Sequence, residues 1–527
     1  MVDRLVSYTG AAVLASLIFW IYARVSNKGS LPPGPKGLPL IGNIRDLPPK
    51  GLPEWQHWIK HKDKYGPISS VKVLGQPIIL LHSREAAVEL LEKRSTKHSS
   101  RPHMIFASEM VGYSKEFAMR PYDRLLREQR KLVASQLGHQ SSVQRFEPKQ
   151  ALESRRFLLR LLREPGKVES HFYTESASVI LDMLYGYSPR PGKRDPLVDL
   201  IMRVMNHFGQ ASVAGVWMVD FLPWIRYLPD WVPGTGFKRT ARDWGRELEE
   251  SVNVPLQFVE HQMRSDQHKS SYVSELIGTS NRRMSAEEHD NIRYSAGTLY
   301  AGGSDTTPAA LEWFLIAMVK YPDVQRKARK DIDSVVGSSR LPGFEDRARL
   351  PYVEAIVQET LRWQPLAPLG LPHMTDQDDY YQGYLIPKGA LILPSIASFA
   401  QDPEVYHDPG TFKPERFLEP YNEPLPLFTF GFGRRVCPGR LLANSTMFIT
   451  IAQILAAFTI DKAADARDDP REPEVQATPG IVSRPLPFQY TILPRNEAYI
   501  NIIKQVETEH PWEEGDAELL EKLTQEA

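Results

Sequence analysis

The sequence predicts a mainly α (α+β) fold: one helical body, a minor β portion drawn from both ends of the chain, and an N-terminal transmembrane anchor helix. Three observations carry this. An uncharged apolar run occupies residues 5–22, two β-like patches lie at 65–82 and 380–395, and long amphipathic stretches fill most of the interval between them.

The apolar run LVSYTGAAVLASLIFWIY is eighteen residues long. At helical rise it spans about 27 Å, close to the hydrocarbon thickness of an endoplasmic reticulum bilayer. Arg24 and Lys28 follow it. No small-residue cleavage site stands there, so the run reads as a retained anchor with the body of the protein cytosolic. The anchor is assigned to 1–23 and a proline-rich hinge to 24–50. Prolines 32, 33, 35 and 39 make the hinge stiff and extended.

A catalytic body is expected over 51–500. YGPISSVKVLGQPIILLH alternates and then runs apolar between Gly and Pro, as a strand pair does. Helical patterns such as YDRLLREQRKLVASQL dominate from about 84 to 340. YYQGYLIPKGALILPS is the second β patch, proline-rich coil covers about 402–429, and another helix covers 439–458. Residues 501–527 form an acidic tail expected at the periphery. The aromatic stretch 208–234 suits either a roof over an apolar channel that dips into lipid or ordinary core packing.

Apolar residues make up 42% and charged residues 24%, enough for a large core, and 64 basic residues balance 64 acidic ones. That balance gives no footprint for nucleic acid. Cys437 is the only cysteine, which excludes an internal disulfide and multi-cysteine zinc sites.

That cysteine sits in FTFGFGRRVCPGR, where Phe430, Gly433, Arg435, Cys437 and Gly439 fill every fixed position of F-x-x-G-x-R-x-C-x-G. Upstream lie YAGGSDTTPAA with Asp305-Thr306, E-x-x-R as Glu359 and Arg362, and PERF with Arg416. Together these segments resemble the cytochrome P450 family of haem-thiolate monooxygenases. The narrower likeness, through GLPHMT, GYLIPKG and FLPWIRYLPDWVPG, is to microsomal fungal members of secondary metabolism.

The resemblance implies haem b as cofactor, with Cys437 its axial metal ligand. A thiolate there pushes electron density that favours O–O cleavage. Phe430 packs near the sulfur, Gly433 and Gly439 allow a tight turn beside a flat macrocycle, and Arg435, Arg130 and His373 hold propionates. Asp305 and Thr306 are the implied catalytic pair, Asp305 relaying protons and Thr306 holding a water or oxygen above the iron. Glu359, Arg362 and Arg416 form a structural lock. The family often has W-x-x-x-R where this chain has Leu126 and Arg130, so one propionate donor is missing and Arg127 is a candidate replacement.

The implied reaction inserts one atom of O₂ into an apolar small molecule, with electrons from NADPH through a separate NADPH–cytochrome P450 reductase, aided by cytochrome b5. A haem-thiolate isomerase or dehydratase needs no proton delivery, and the Asp305-Thr306 pair argues against one. The proton relay also speaks against a non-catalytic haem sensor.

Overall fold

The computed structural model describes residues 29–190, 194–213, 216–279, 284–463, 473–512 and 514–526. The expected anchor at 1–23 lies outside the described residues, as does the start of the hinge.

The body is helix-rich. Its main helices are α1 (Arg124–Leu137), α2 (Glu147–Arg163), α3 (Val168–Tyr185), α4 (Pro196–Ala211), α5 (Gly236–Arg264), α6 (Ala286–Lys320), α7 (Pro322–Val335), α8 (Pro351–Trp363), α9 (Arg440–Ala457), α10 (Glu497–Glu509) and α11 (Ala517–Glu526). The strands are β1 (Ile68–Val73), β2 (Gln76–Leu81), β3 (His373–Met374), β4 (Asp379–Tyr381), β5 (Tyr384–Ile386), β6 (Leu391–Pro394), β7 (Phe458–Lys462) and β8 (Tyr490–Pro494).

The β portion is assembled from both ends of the chain. A four-stranded sheet runs β1-β2-β6-β3, with β2 parallel to β6 and the other neighbours antiparallel. Leu74 and Gly75, both at positive φ, form the two-residue turn of the β1–β2 hairpin, whose twist suits the strands. The described part of the hinge is docked along β1. Ser70 N–H donates to the Pro33 carbonyl at 2.8 Å and Asn43 N–H to the Lys72 carbonyl at 2.7 Å.

Helix α6 is the axis of the body. Ser285 and Glu288 close a capping box at its start, the Ser285 side chain accepting the Glu288 N–H and Glu288 accepting the Ser285 N–H. Its 35 residues span about 52 Å. Helices α1, α3, α8 and α9 pack around it. The main core joins its second half to α2, α8 and α9, through Trp313, Phe314, Ile356, Phe448 and Ile451 among others. An added Cβ on Gly303 would meet Ile180 Cδ1 at 2.6 Å, so α3 crosses α6 closer than a side chain there would permit.

Helix α9 is apolar because it is core. Among the described residues it is the one helix long and apolar enough to cross a membrane, and most of it is buried.

The acidic C-terminal residues are not merely peripheral. Helix α10 runs across residue 500 and places Tyr499, Ile503 and Val506 in the main core. Leu520 of α11 joins a second core cluster. Their acids pair with arginines, Glu509 with Arg155 at 2.6 Å and Glu521 with Arg190 at 3.0 Å.

The aromatic stretch divides into a packed and an exposed part. Trp217 stacks on Phe106 at 3.5 Å and Val219 is buried, whereas Trp224, Tyr227 and Trp231 are 59%, 74% and 82% exposed.

Candidate active site

The cysteine loop turns twice, at Leu427–Phe430 and Gly433–Arg435, before α9 begins at Arg440. Cys437 N–H closes it by donating to the Phe430 carbonyl at 2.8 Å. The Phe430 ring packs against the main core. Gly433 has φ +52°, and an added Cβ would run into the Leu91 carbonyl, so both its backbone and its surroundings demand glycine. Gly439 differs: its φ is −83°, and an added Cβ would meet only Cys437 Sγ, at 4.0 Å.

Burial pushes the Cys437 thiol pKa up, while the N–H groups of Gly439 and Arg440 and the charges of Arg130 and Arg440 pull the other way. The opening turn of α9 thus presents amides to the sulfur, which favours thiolate. A metal bound there replaces the proton and removes the remaining cost.

Beside this loop lies a buried cationic cluster. Arg435 donates to the carbonyls of Ser99 at 2.6 Å, Phe117 at 2.7 Å and Arg120 at 2.5 Å. Arg101, only 4% exposed, donates to those of Ala118, Leu371 and Pro372 at 2.8–2.9 Å. Arg130, one turn after Leu126 on α1, lies over the Phe117 ring. His373 in β3 makes a 2.8 Å bond from Nδ1 to the His98 carbonyl, which only accepts, so Nδ1 carries the proton.

Electrostatics shows what this cluster lacks. Burial, and after it the charges of Arg435 and Arg130, holds the Arg101 pKa well below the usual arginine range. Burial and then Arg130 lower Arg435 to about 10. Burial and then Arg101 push His373 well down. Among the described residues Arg101 and Arg435 bond only to backbone carbonyls, with Asp123 and Asp376 acting on Arg435 at longer range. Buried charge of one sign is stable only with an opposite charge among it. Two carboxylates on one edge of a macrocycle are a matching ligand, so the donor set fits haem.

Sequence reasoning missed Arg101. Leu126 is buried in the second core cluster, and the proposed replacement Arg127 is exposed on the other face of α1. The guanidinium that joins the cluster is Arg101, whose sole signal is its place in Ser99-Ser100-Arg101-Pro102, with no motif to mark it.

On α6, Thr306 Oγ1 donates to the Gly302 carbonyl at 2.8 Å. Gly302 is exposed in the middle of a helix otherwise mostly buried, and an added Cβ there would meet nothing within 4 Å, so open space adjoins it. Asp305 does not stand free. Its Oδ1 accepts from Arg484 Nη2 at 2.6 Å and from Tyr173 Oη at 3.2 Å. Arg484 also donates to the Asp305 carbonyl at 2.9 Å and, through Nη1, to Glu312 Oε1 at 2.9 Å.

The lock residues come together fully buried. Glu359 accepts from Arg362 and from Arg416, the latter at 3.1 Å, and Arg416 also pairs with Glu423 at 2.7 Å. Glu423, which no sequence motif marks, supplies the second anion for two buried guanidinium groups.

Comparison with known proteins bears on the whole chain. The family model described as Cytochrome P450 matches residues 32–492. The chain is 44% identical to cytochrome P450 monooxygenase CLM2 of Gibberella zeae, over 97% of this chain and 98% of that protein. It is 41% identical to the multifunctional cytochrome P450 monooxygenase af510 of Aspergillus fumigatus, over 97% of each. It is 37% identical to the O-methylsterigmatocystin oxidoreductase of Aspergillus flavus, over 98% of each.

Proposed function

The chain belongs to the cytochrome P450 family, haem-thiolate monooxygenases that work with a redox-partner reductase on small molecules, and from that premise we propose which residues do the work and on what. Cys437 would ligate the iron of haem b through its sulfur. Arg435, Arg130 and Arg101 hold the propionates, and His373 joins them once a propionate's negative charge draws a second proton onto its Nε2, with Gly433 and Phe430 shaping the loop behind the sulfur. The observation that carries this reading is the buried cationic cluster beside Cys437, whose Arg101 and Arg435 are bonded to carbonyls and, among the described residues, ion-paired with no carboxylate in direct contact.

Haem held there would supply the activation of O₂. The chain's own residues prepare for this. Helix α9 aims amides at the sulfur, and the guanidinium cluster fixes the macrocycle's orientation. Gly302 leaves open space beside it, and Thr306 Oγ1, its hydrogen committed to the Gly302 carbonyl, can hold a water in that space by accepting a hydrogen bond from it. Asp305 is the carboxylate that takes protons up from the solvent side.

The substrate is an apolar small molecule and the reaction a hydroxylation in a fungal secondary-metabolite pathway. Support comes from the relatives, one of which is named for O-methylsterigmatocystin. NADPH–cytochrome P450 reductase is the electron donor, with cytochrome b5 as an auxiliary. The protein is a single-pass protein of the endoplasmic reticulum membrane with its catalytic body cytosolic. Leu40, Trp224, Tyr227 and Trp231, all strongly exposed, support a body that rests against lipid.

The test is oxygen uptake by the full chain reconstituted with reductase and NADPH. Uptake should require both, and Thr306→Ala should keep haem while diverting electrons to peroxide, roughly tenfold or more. Uptake without reductase, or an unchanged peroxide share in Thr306→Ala, would overturn the assignment.

A further inference from the structure

Four successive carbonyls, from Lys97 to Ser100, serve the segments that carry the buried cluster. They accept in turn from the Asp376 N–H at 2.9 Å, His373 Nδ1 at 2.8 Å, Arg435 Nε at 2.6 Å and the Met374 N–H at 2.9 Å. Arg101 is the next residue, so three members of the cluster take their positions from one short stretch of backbone.

A side chain ties that stretch to another part of the body. The His98 ring is fully buried, with Nε2 3.0 Å from Asp379 Oδ2 at the start of β4. Asp379, with a side chain 8% exposed, also accepts from Lys97 Nζ at 3.0 Å and Arg94 Nη1 at 3.3 Å. Against burial, the bonds from His98, Lys97, the Tyr380 N–H and Arg94 hold its carboxyl well below the usual carboxylate range. A carboxylate can only accept, and burial lowers the His98 pKa against the pull of Asp379, so the ring is neutral with its one proton on Nε2. His98 Nδ1 is buried and has no hydrogen-bond partner among the described residues. The hairpin that carries Asp379 is itself held. Arg94 donates to the Tyr380 carbonyl at 2.7 Å, and the Leu385 N–H of β5 donates to the Ser30 carbonyl of the hinge at 2.9 Å.

We propose that Asp379 is a positioning residue for the propionate cluster, acting through the ring of His98. The inference rests on the reading of His373 and the arginines as propionate partners. With Asp379 in place the His98 ring is fixed and its carbonyl stays on His373 Nδ1. That leaves Nε2 as the His373 nitrogen that takes the second proton and meets a propionate. Without Asp379 a fully buried N–H has no acceptor. The ring must turn or move its proton to Nδ1, and the main chain of His98 moves with it. The carbonyls offered to His373 and Arg435 then shift, and both donors lose their bearing.

The test is loss of haem from the full-length ferric holoenzyme to an apoglobin acceptor, read beside the propionate bending band of the resonance Raman spectrum. Asp379→Ala should lose haem about tenfold faster than the parent, the scale of one buried hydrogen bond, and should shift that band as His373→Leu does. Asp379→Asn keeps an acceptor oxygen for Nε2, so its rate should stay within about threefold of the parent with the band unmoved. Asp379→Ala combined with His373→Leu should be no faster than His373→Leu alone, because both act at one contact. Combined with Arg130→Leu, the two effects should multiply.

Full multiplication with His373→Leu would overturn the proposal, as would an Asp379→Asn variant as fast as Asp379→Ala. His98→Phe keeps the bulk of the ring and the main-chain carbonyl but removes the tie. A parent-like rate in that variant overturns the proposal even if Asp379→Ala fails to load haem. A His373→Leu variant with the parent's rate and band would remove His373 from the propionate site and the inference with it, whereas the other failures leave that reading standing.

Discussion

Arg362 grips Glu359 with both arms of its guanidinium, Nε to Oε2 and Nη2 to Oε1, each at 2.8 Å, three residues apart on α8 with neither side chain exposed. Glu359 also accepts the Lys413 N–H at 2.8 Å and Arg416 Nε at 3.1 Å, so one carboxylate joins α8 to the PERF turn that leads into the cysteine loop.

Removing that charge leaves two guanidinium groups buried around a neutral amide. Glu359→Gln should cost about 3–5 kcal/mol and lower the yield of haem-loaded protein steeply. Thermal unfolding and the haem-to-protein ratio check this. A variant that unfolds within a degree of the parent would contradict it.

The lock was legible in sequence because its core is local. Glu359 and Arg362 share a helix face by spacing alone, and the cysteine loop spells its geometry within ten residues. The two glycines there were not equal, since only Gly433 has positive φ and a carbonyl against it. What the sequence hid are pairings between distant segments. Arg484 meets Asp305 across 179 positions and Arg435 meets the Ser99 carbonyl across 336. Periodicity reports a residue's own element, and says nothing of which other element folds against it. The same limit hid the burial of the acidic C-terminal helices, whose acids face arginines of α2 and the loop after α3.

The proposed reading gives Arg101 the propionate contact that Leu126 cannot provide. Arg101→Leu should speed the loss of haem to an apoglobin acceptor by about tenfold or more, the cost of taking one partner from a buried charge pair. Arg127→Leu, at an exposed position on α1, should leave the rate unchanged. Equal rates in parent and Arg101→Leu would remove Arg101 from the propionate site.

Glu116 carries a pH signature. It is 5% exposed, with its carboxyl lying by Gly297 of α6. Burial, aided by Glu249, pushes its pKa up to about 8 from an ordinary 4.5. The folded chain therefore keeps a proton that the unfolded chain gives up between those values, and this contribution to stability declines as pH rises through that window and is flat above it. Glu116→Gln removes the decline. Its melting temperature relative to the parent should rise by a few degrees from about pH 5 to about pH 8. A constant difference across that range would show that Glu116 is ionised in the folded protein.

The central claim is that Cys437 ligates the iron as thiolate, and the reduced carbon monoxide spectrum tests it most directly. The parent should show the long-wavelength Soret band of a thiolate-ligated haem, and Cys437→Ala should lose that band. A spectrum of the imidazole type in the parent, or a thiolate band that survives Cys437→Ala, would contradict it.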